Sequence, residues 1–104
     1  MNRIEKLKEF LAVNPHDGFV QHALALEYAK LGDDAEARKL FETLLTEDEN
    51  YIGSYYQLAK LLERANAKDE AIRWYEKGML KAKEVGDTHA YNELRVAYEE
   101  IAGD

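Results

Sequence analysis

Moved along itself by 34 residues, the chain meets its own pattern. Leu24 falls on Leu58, Ala25 on Ala59, Glu36 on Glu70, Ala37 on Ala71 and Glu42 on Glu76. Conservative partners join them: Lys30 with Arg64, Tyr28 with Leu62, Phe41 with Tyr75, Leu45 with Met79. The turn breaker recurs too, Gly32 with Asn66. Inside each segment the apolar matches are three or four residues apart, the spacing of one helix face. Such a period demands a repeated helix–turn–helix unit, and a unit of that kind buries its faces only by stacking on neighbours. No segment alternates with period two, so no strand is predicted.

Six helices follow from the local signals. Ile4, Leu7 and Leu11, with Phe10 beside them, mark a first helix that stops near Asn14, because Pro15 disfavours helix in the residue before it. Asp17 can cap a second helix carrying Val20, Leu24, Tyr28 and Leu31, which ends at Gly32. Asp33, with Glu36 three residues on, opens a third that buries Ala37, Leu40, Phe41, Leu44 and Leu45. Asn50 can cap a fourth with Tyr51, Tyr55, Leu58, Ala59 and Leu62, closed by Asn66. The fifth holds Ala71, Trp74, Tyr75 and Met79 and runs toward Val85. Gly86 breaks it, and Asp87 or Thr88 caps a last helix burying Ala90 or Tyr91, Leu94, Ala97 or Tyr98, and Ile101.

The order of residue types inside the period resembles the tetratricopeptide repeat family, whose unit reads W-x2-L-G-x2-Y, then A-x3-F, then P. Residues 18–51 supply Gln21, Leu24, Ala25, Tyr28, Ala37 and Phe41. Residues 52–85 supply Tyr55, Leu58, Ala59, Leu62, Ala71 and Tyr75. The closing proline stands at Pro15, but Glu49 and Lys83 occupy that place in the next two periods, and no tryptophan fills the first position. The resemblance implies an all-α, right-handed helical solenoid of about six antiparallel helices. It comprises two full repeats, 18–51 and 52–85, between a flanking helix in 1–17 and a capping helix in 86–104, as a single domain over 1–104. Small residues at 25, 59, 37 and 71 would let helices approach while Phe41 and Tyr75 fill the space between. Gly78, mid-helix, costs roughly 1 kcal/mol against alanine, and close packing is the reason expected for it.

Several function classes are closed off by composition. There is no cysteine, so neither a disulfide framework nor a thiolate metal site can form. The first thirteen residues lack the apolar core of a signal peptide, and no apolar run approaches the roughly 18 residues of a membrane span. The expected location is the cytoplasm. Net charge is −7, and an acidic chain is a poor nucleic-acid binder, because phosphate affinity comes from clustered Lys and Arg. Ser54 is the only serine, and His16, His22 and His89 fall at no metal-ligand spacing. No phosphate-loop, dinucleotide or zinc-protease motif occurs. Neither catalysis nor a cofactor or metal is expected.

In the family resembled, the first helix of each unit lines a concave groove. Off the packing positions, those helices here carry Phe19, His22, Leu26 and Ala29, then Gly53, Tyr56, Lys60 and Glu63. Phe19, Leu26 and Tyr56 are more apolar than a solvated face requires, and such a patch marks an interaction site. The implied function is a protein–protein interaction module, an adaptor or scaffold. It would hold a peptide or helix of another protein on Phe19, His22, Leu26, Tyr56 and Lys60, with Tyr91 from the last helix. Against this stands a plain structural role, with Phe19 and Leu26 packing on the terminal helices. Self-association as a homodimer, through the groove or Trp74, and a regulatory fragment of a larger protein are the alternatives. Some members clamp a chaperone's C-terminal tail with Lys, Asn and Arg. Only Gln57 comes close to that set here, so no such clamp is expected. Arg73, Lys77 and Lys81 form a basic row, read as a solvated face or a contact for an acidic partner.

Overall fold

The computed structural model describes residues 2–103; Met1 and Asp104, the ends of the expected domain, lie outside the described residues. Six helices account for nearly all of them, and no strand occurs among them. They are α1 (Arg3–Val13), α2 (Gly18–Lys30), α3 (Asp34–Glu47), α4 (Gly53–Arg64), α5 (Lys68–Val85) and α6 (Thr88–Ala102). The chain forms two compact units that divide between Asp48 and Glu49.

In the first unit, α2 packs on α1 and on α3. Leu7, Val20, Ala23 and Leu24 form a buried cluster against which Ile4, Leu11, Tyr28 and Leu40 pack. Ala25 and Ala37 are fully buried, and Phe41 nearly so. Asp17 caps α2 as expected, accepting the Val20 amide, and Asn2, for which no cap was expected, accepts the Glu5 amide at the start of α1. Gly32 ends α2 at φ +81°, a left-handed conformation that lets the Asp33 amide reach back to the Tyr28 carbonyl at 2.9 Å. Asp33 then caps α3 through the Glu36 amide at 3.3 Å.

In the second unit, α5 packs on α4 and on α6. Tyr55, Leu58, Ala59, Leu62, Ala71 and Tyr75 are sealed from solvent. Asn66 repeats the Gly32 turn at φ +61°, with the Ala67 amide bonded to the Leu62 carbonyl at 2.9 Å. Gly86 closes α5, and Asp87, rather than Thr88, caps α6 through the Ala90 amide at 3.0 Å.

The start of α4 departs from expectation. Asn50 does not cap it; the helix begins at Gly53, and no side chain caps it. A turn supplies the acceptors instead: the Ser54 amide donates to the Tyr51 carbonyl at 3.2 Å and the Tyr55 amide to that of Ile52 at 3.3 Å. Tyr51 is therefore outside the helix it was expected to join.

Gly78 has the packing reason expected of it. A Cβ there would stand 2.7 Å from the Tyr55 Cβ, 2.9 Å from its Cγ and 3.1 Å from a Leu94 methyl. The bare backbone of α5 is what lets α4 and α6 close on it.

Candidate functional site

In the first unit, the outward side of α2 forms a cleft with the start of α1. Its volume is about 380 Å³, and Arg3, Phe19, His22, Leu26, Glu27 and Lys30 line it. Phe19 is 71% exposed, so it does not pack on a terminal helix. Leu26 is half-buried. The His22 ring meets the buried Phe41 edge-on, with centroids 5.6 Å apart. Burial pushes the His22 pKa below its usual 6.5, so the imidazole is neutral near pH 7 and presents an apolar edge with polar nitrogens. Glu27 is shared by two cations, Lys30 at 3.1 Å and Arg3 at 3.5 Å. These three charged residues were not among the sequence candidates. The Glu27–Lys30 spacing is visible in the sequence, but nothing local joins Arg3 to a carboxylate in another helix.

In the second unit, the equivalent positions of α4 carry Tyr56 and Lys60. They are together: the Lys60 ammonium lies 5.6 Å from the Tyr56 ring centroid and 3.5 Å from Glu63. Tyr56 meets Tyr75 edge-on with centroids 6.4 Å apart. The Tyr75 hydroxyl donates to Glu63. Burial, then the neighbouring Glu63 carboxylate, raises the Tyr75 pKa far above the usual 10.0. Tyr91 belongs to a different place. It lines a cavity of about 250 Å³ at the α5–α6 turn with Ala82, Lys83, Gly86, Asp87 and Thr88.

The basic row of α5 is largely occupied from within the unit. Lys81 and Lys77 lie 3.2 and 3.7 Å from Glu49, and Lys81 also pairs with Glu84 at 3.3 Å. Trp74 is half-buried, 6.0 Å centroid to centroid from Tyr55, with Lys77 over its ring. It fills space beside Tyr55.

Ser54 is buried, and His16 pairs with Glu47. Among the described residues no group of three or more His, Cys, Asp or Glu side chains is placed to hold a metal ion. No helix there is long and apolar enough to cross a membrane. What the two faces offer is apolar and aromatic contact area edged by a few charges, which suits noncovalent recognition.

Comparison with known proteins gives the same architecture. The tetratricopeptide repeat family matches residues 20–51 and 52–79. The chain is similar to a tetratricopeptide repeat domain protein from Salinibacter ruber whose solution structure is known. Identity is 39% over 86% of this chain and 91% of that one, with a TM-score of 0.82. A crystal structure of a tetratricopeptide repeat domain protein from the same organism gives 39% identity over 84% and 97%, with a TM-score of 0.79. A protein from Bordetella parapertussis shares the fold at a TM-score of 0.84, with 24% identity over 98% and 89%. No curated protein matches the chain.

Proposed function

The chain belongs to the tetratricopeptide repeat family, whose fold generally mediates protein–protein interaction, and from that premise we propose that it is a non-catalytic adaptor of the cytoplasm that holds a peptide or short helix of another protein. The observation that carries this is Phe19. A phenylalanine that is 71% exposed on the wall of a cleft, beside the half-buried Leu26 and a neutral His22, has apolar area available at no cost to the core. A few well-placed aromatic and aliphatic contacts supply most of the energy of such interfaces. Tyr56 and Lys60, at the equivalent positions of the next repeat, are proposed as further contacts, and Tyr91 as an accessory one. Cavities of a few hundred Å³ suit one or two side chains of a partner rather than a folded domain.

The test is a selection of displayed peptides against the intact chain, followed by affinity measurement on Phe19→Glu and Leu26→Glu variants. Ligands that lose about tenfold or more in affinity, roughly 1.4 kcal/mol, on either substitution support the proposal, provided helical circular dichroism is unchanged. If every selected ligand binds both variants as well as the parent chain, the α2 face is not the site.

A further inference from the structure

The two terminal helices present unlike charge on their outward sides. On α1, Lys6, Phe10 and Val13 follow one another at four and three residues, one stripe of the helix turned away from Ile4, Leu7 and Leu11. All three are exposed, Phe10 at 53% and Val13 at 88%. The other cations of α1 are engaged, Arg3 with Glu27 and Lys8 over the Tyr28 ring. Lys6 has no ion-pair partner among the described residues. Glu5 and Glu9 lie on the side of Lys6 away from Phe10, by the 100° turn per residue.

On α6, Glu93, Val96 and Glu100 form the matching stripe, at three and four residues, opposite the buried Leu94 and Ala97. Val96 is 51% exposed. Arg95 holds Glu99 through both carboxylate oxygens at 3.2 Å. Glu93 and Glu100 make no ion pair among the described residues. One end of the chain thus offers a cation beside exposed apolar side chains, and the other an exposed apolar side chain between two carboxylates.

We infer that the α1 stripe of one copy docks on the α6 stripe of another, head to tail. The spacings agree. Lys6 to Phe10 and Val96 to Glu100 are both four residues, about 6 Å of helix axis. An antiparallel contact therefore sets Lys6 against Glu100 and Phe10 against Val96 at the same time. The two stripes are different surfaces, so the contact is heterologous, and it either closes into a ring of copies or runs on as an open chain. It uses no residue of the Phe19 cleft, so it stands or falls separately from the docking function. The association is weak, because two single-helix faces fall short of the roughly 1,000 Å² of a stable interface, and because each copy carries a net charge of −7.

The test is weight-average molar mass by sedimentation equilibrium over a wide concentration range. The parent chain is expected to rise from 12.0 kDa as concentration increases. Lys6→Glu alone and Glu100→Lys alone should each stay monomeric, since each sets like charges across the junction. An equimolar mixture of the two variants should associate again, because every junction between unlike variants pairs opposite charges. Phe19→Glu should associate like the parent chain. A constant 12.0 kDa at all concentrations overturns the inference. So does association that survives either single substitution, a mixture that stays monomeric, or loss of association in Phe19→Glu. All three substituted positions are exposed on helices, and circular dichroism confirms that each variant is folded.

Discussion

Gln21 and Tyr55, one 34-residue period apart, do the same work with different chemistry. The Tyr55 hydroxyl donates to the Glu49 carbonyl at 2.6 Å, and the Gln21 side-chain amide donates to the Pro15 carbonyl at 3.1 Å. Pro15 and Glu49 are themselves one period apart. Each bond ties the segment before a repeat to the first helix of that repeat. The sequence shows the tryptophan position unfilled and the proline lost at Glu49. The hydrogen bond that survives both changes is visible only in three dimensions.

The two bonds should respond differently to removal. Tyr55→Phe keeps the ring in its sealed site and loses one hydrogen bond, at about 0.5–1.5 kcal/mol. Gln21 also buries its Oε1, which is unpaired among the described residues, and an unpaired buried acceptor costs about 1–3 kcal/mol. Gln21→Met removes the bond and the orphan together. Urea unfolding should show Tyr55→Phe less stable than the parent chain, and Gln21→Met unchanged or more stable. A Gln21→Met variant that loses as much as Tyr55→Phe would show that the orphan is solvated.

Gly78→Ala sets two effects against each other. Alanine gains roughly 1 kcal/mol of helix propensity. Its Cβ, however, would stand 2.7 Å from the Tyr55 Cβ, an atom near the backbone that cannot swing away. Overpacking of this kind costs about 1–3 kcal/mol, so the net expectation against that gain runs from no change to a loss of about 2 kcal/mol in urea unfolding. A gain would mean that α4 and α5 separate freely.

Most helix positions, ends and buried residues were legible because each rests on nearby residues: Pro15 after Asn14, Asp17, Asp33 and Asp87 as caps, Gly32, Asn66 and Gly86 as breakers; Leu31, expected on the apolar face of the second helix, instead lies just past α2 and is 71% exposed. The small residues at 25, 37, 59 and 71 were legible from the period. Asn50 misled because its residue type suits a cap, while the Tyr51–Ser54 turn supplies acceptors from the backbone. At the candidate site, Phe19, His22 and Leu26 share a face by spacing alone, and the structure gathers them in one cleft. Arg3 was out of reach, since its contact with Glu27 joins two helices. Tyr91 stands one period after Gln57 rather than after Tyr56, and it lines the α5–α6 turn.

Tyr75 makes alkaline stability testable. Its folded pKa lies well above the unfolded 10.0, first through burial and then through the Glu63 carboxylate that accepts its hydrogen bond. A raised folded pKa stabilises fully below pH 10.0, and that contribution is lost as pH rises beyond it, because the unfolded chain ionises first. Tyr75 should show phenolate absorbance only as the chain unfolds. Tyr75→Phe, a residue already accommodated at the equivalent Phe41, should lose about 1.5–3 kcal/mol near neutrality, the range for a hydrogen bond to a charged group. Its alkaline decline should be shallower than the parent's. An equally steep decline would assign alkaline unfolding to other groups.

His22 carries the opposite pH dependence, and it sits in the proposed site. Burial lowers its folded pKa below 6.5. Above pH 6.5 both folded and unfolded states are neutral there, and its contribution is present in full. As pH falls through 6.5 toward the folded pKa, the unfolded chain takes up the proton first and stability declines. Arg3 and Lys30 line the same cleft but share the Glu27 carboxylate, and Phe41 faces the ring with no charge. Urea unfolding from about pH 7.5 down to about pH 5.5 should show a loss that His22→Phe reduces, alongside acid-sensitive carboxylates common to both. Nuclear magnetic resonance titration should place the His22 transition below 6.5. Peptides that bind the α2 face should release over the same interval, because the cleft would exchange an apolar wall for a hydrated cation. Release that persists unchanged in His22→Phe would move the pH dependence to the peptide, and a His22 transition at or above 6.5 would show the ring open to water.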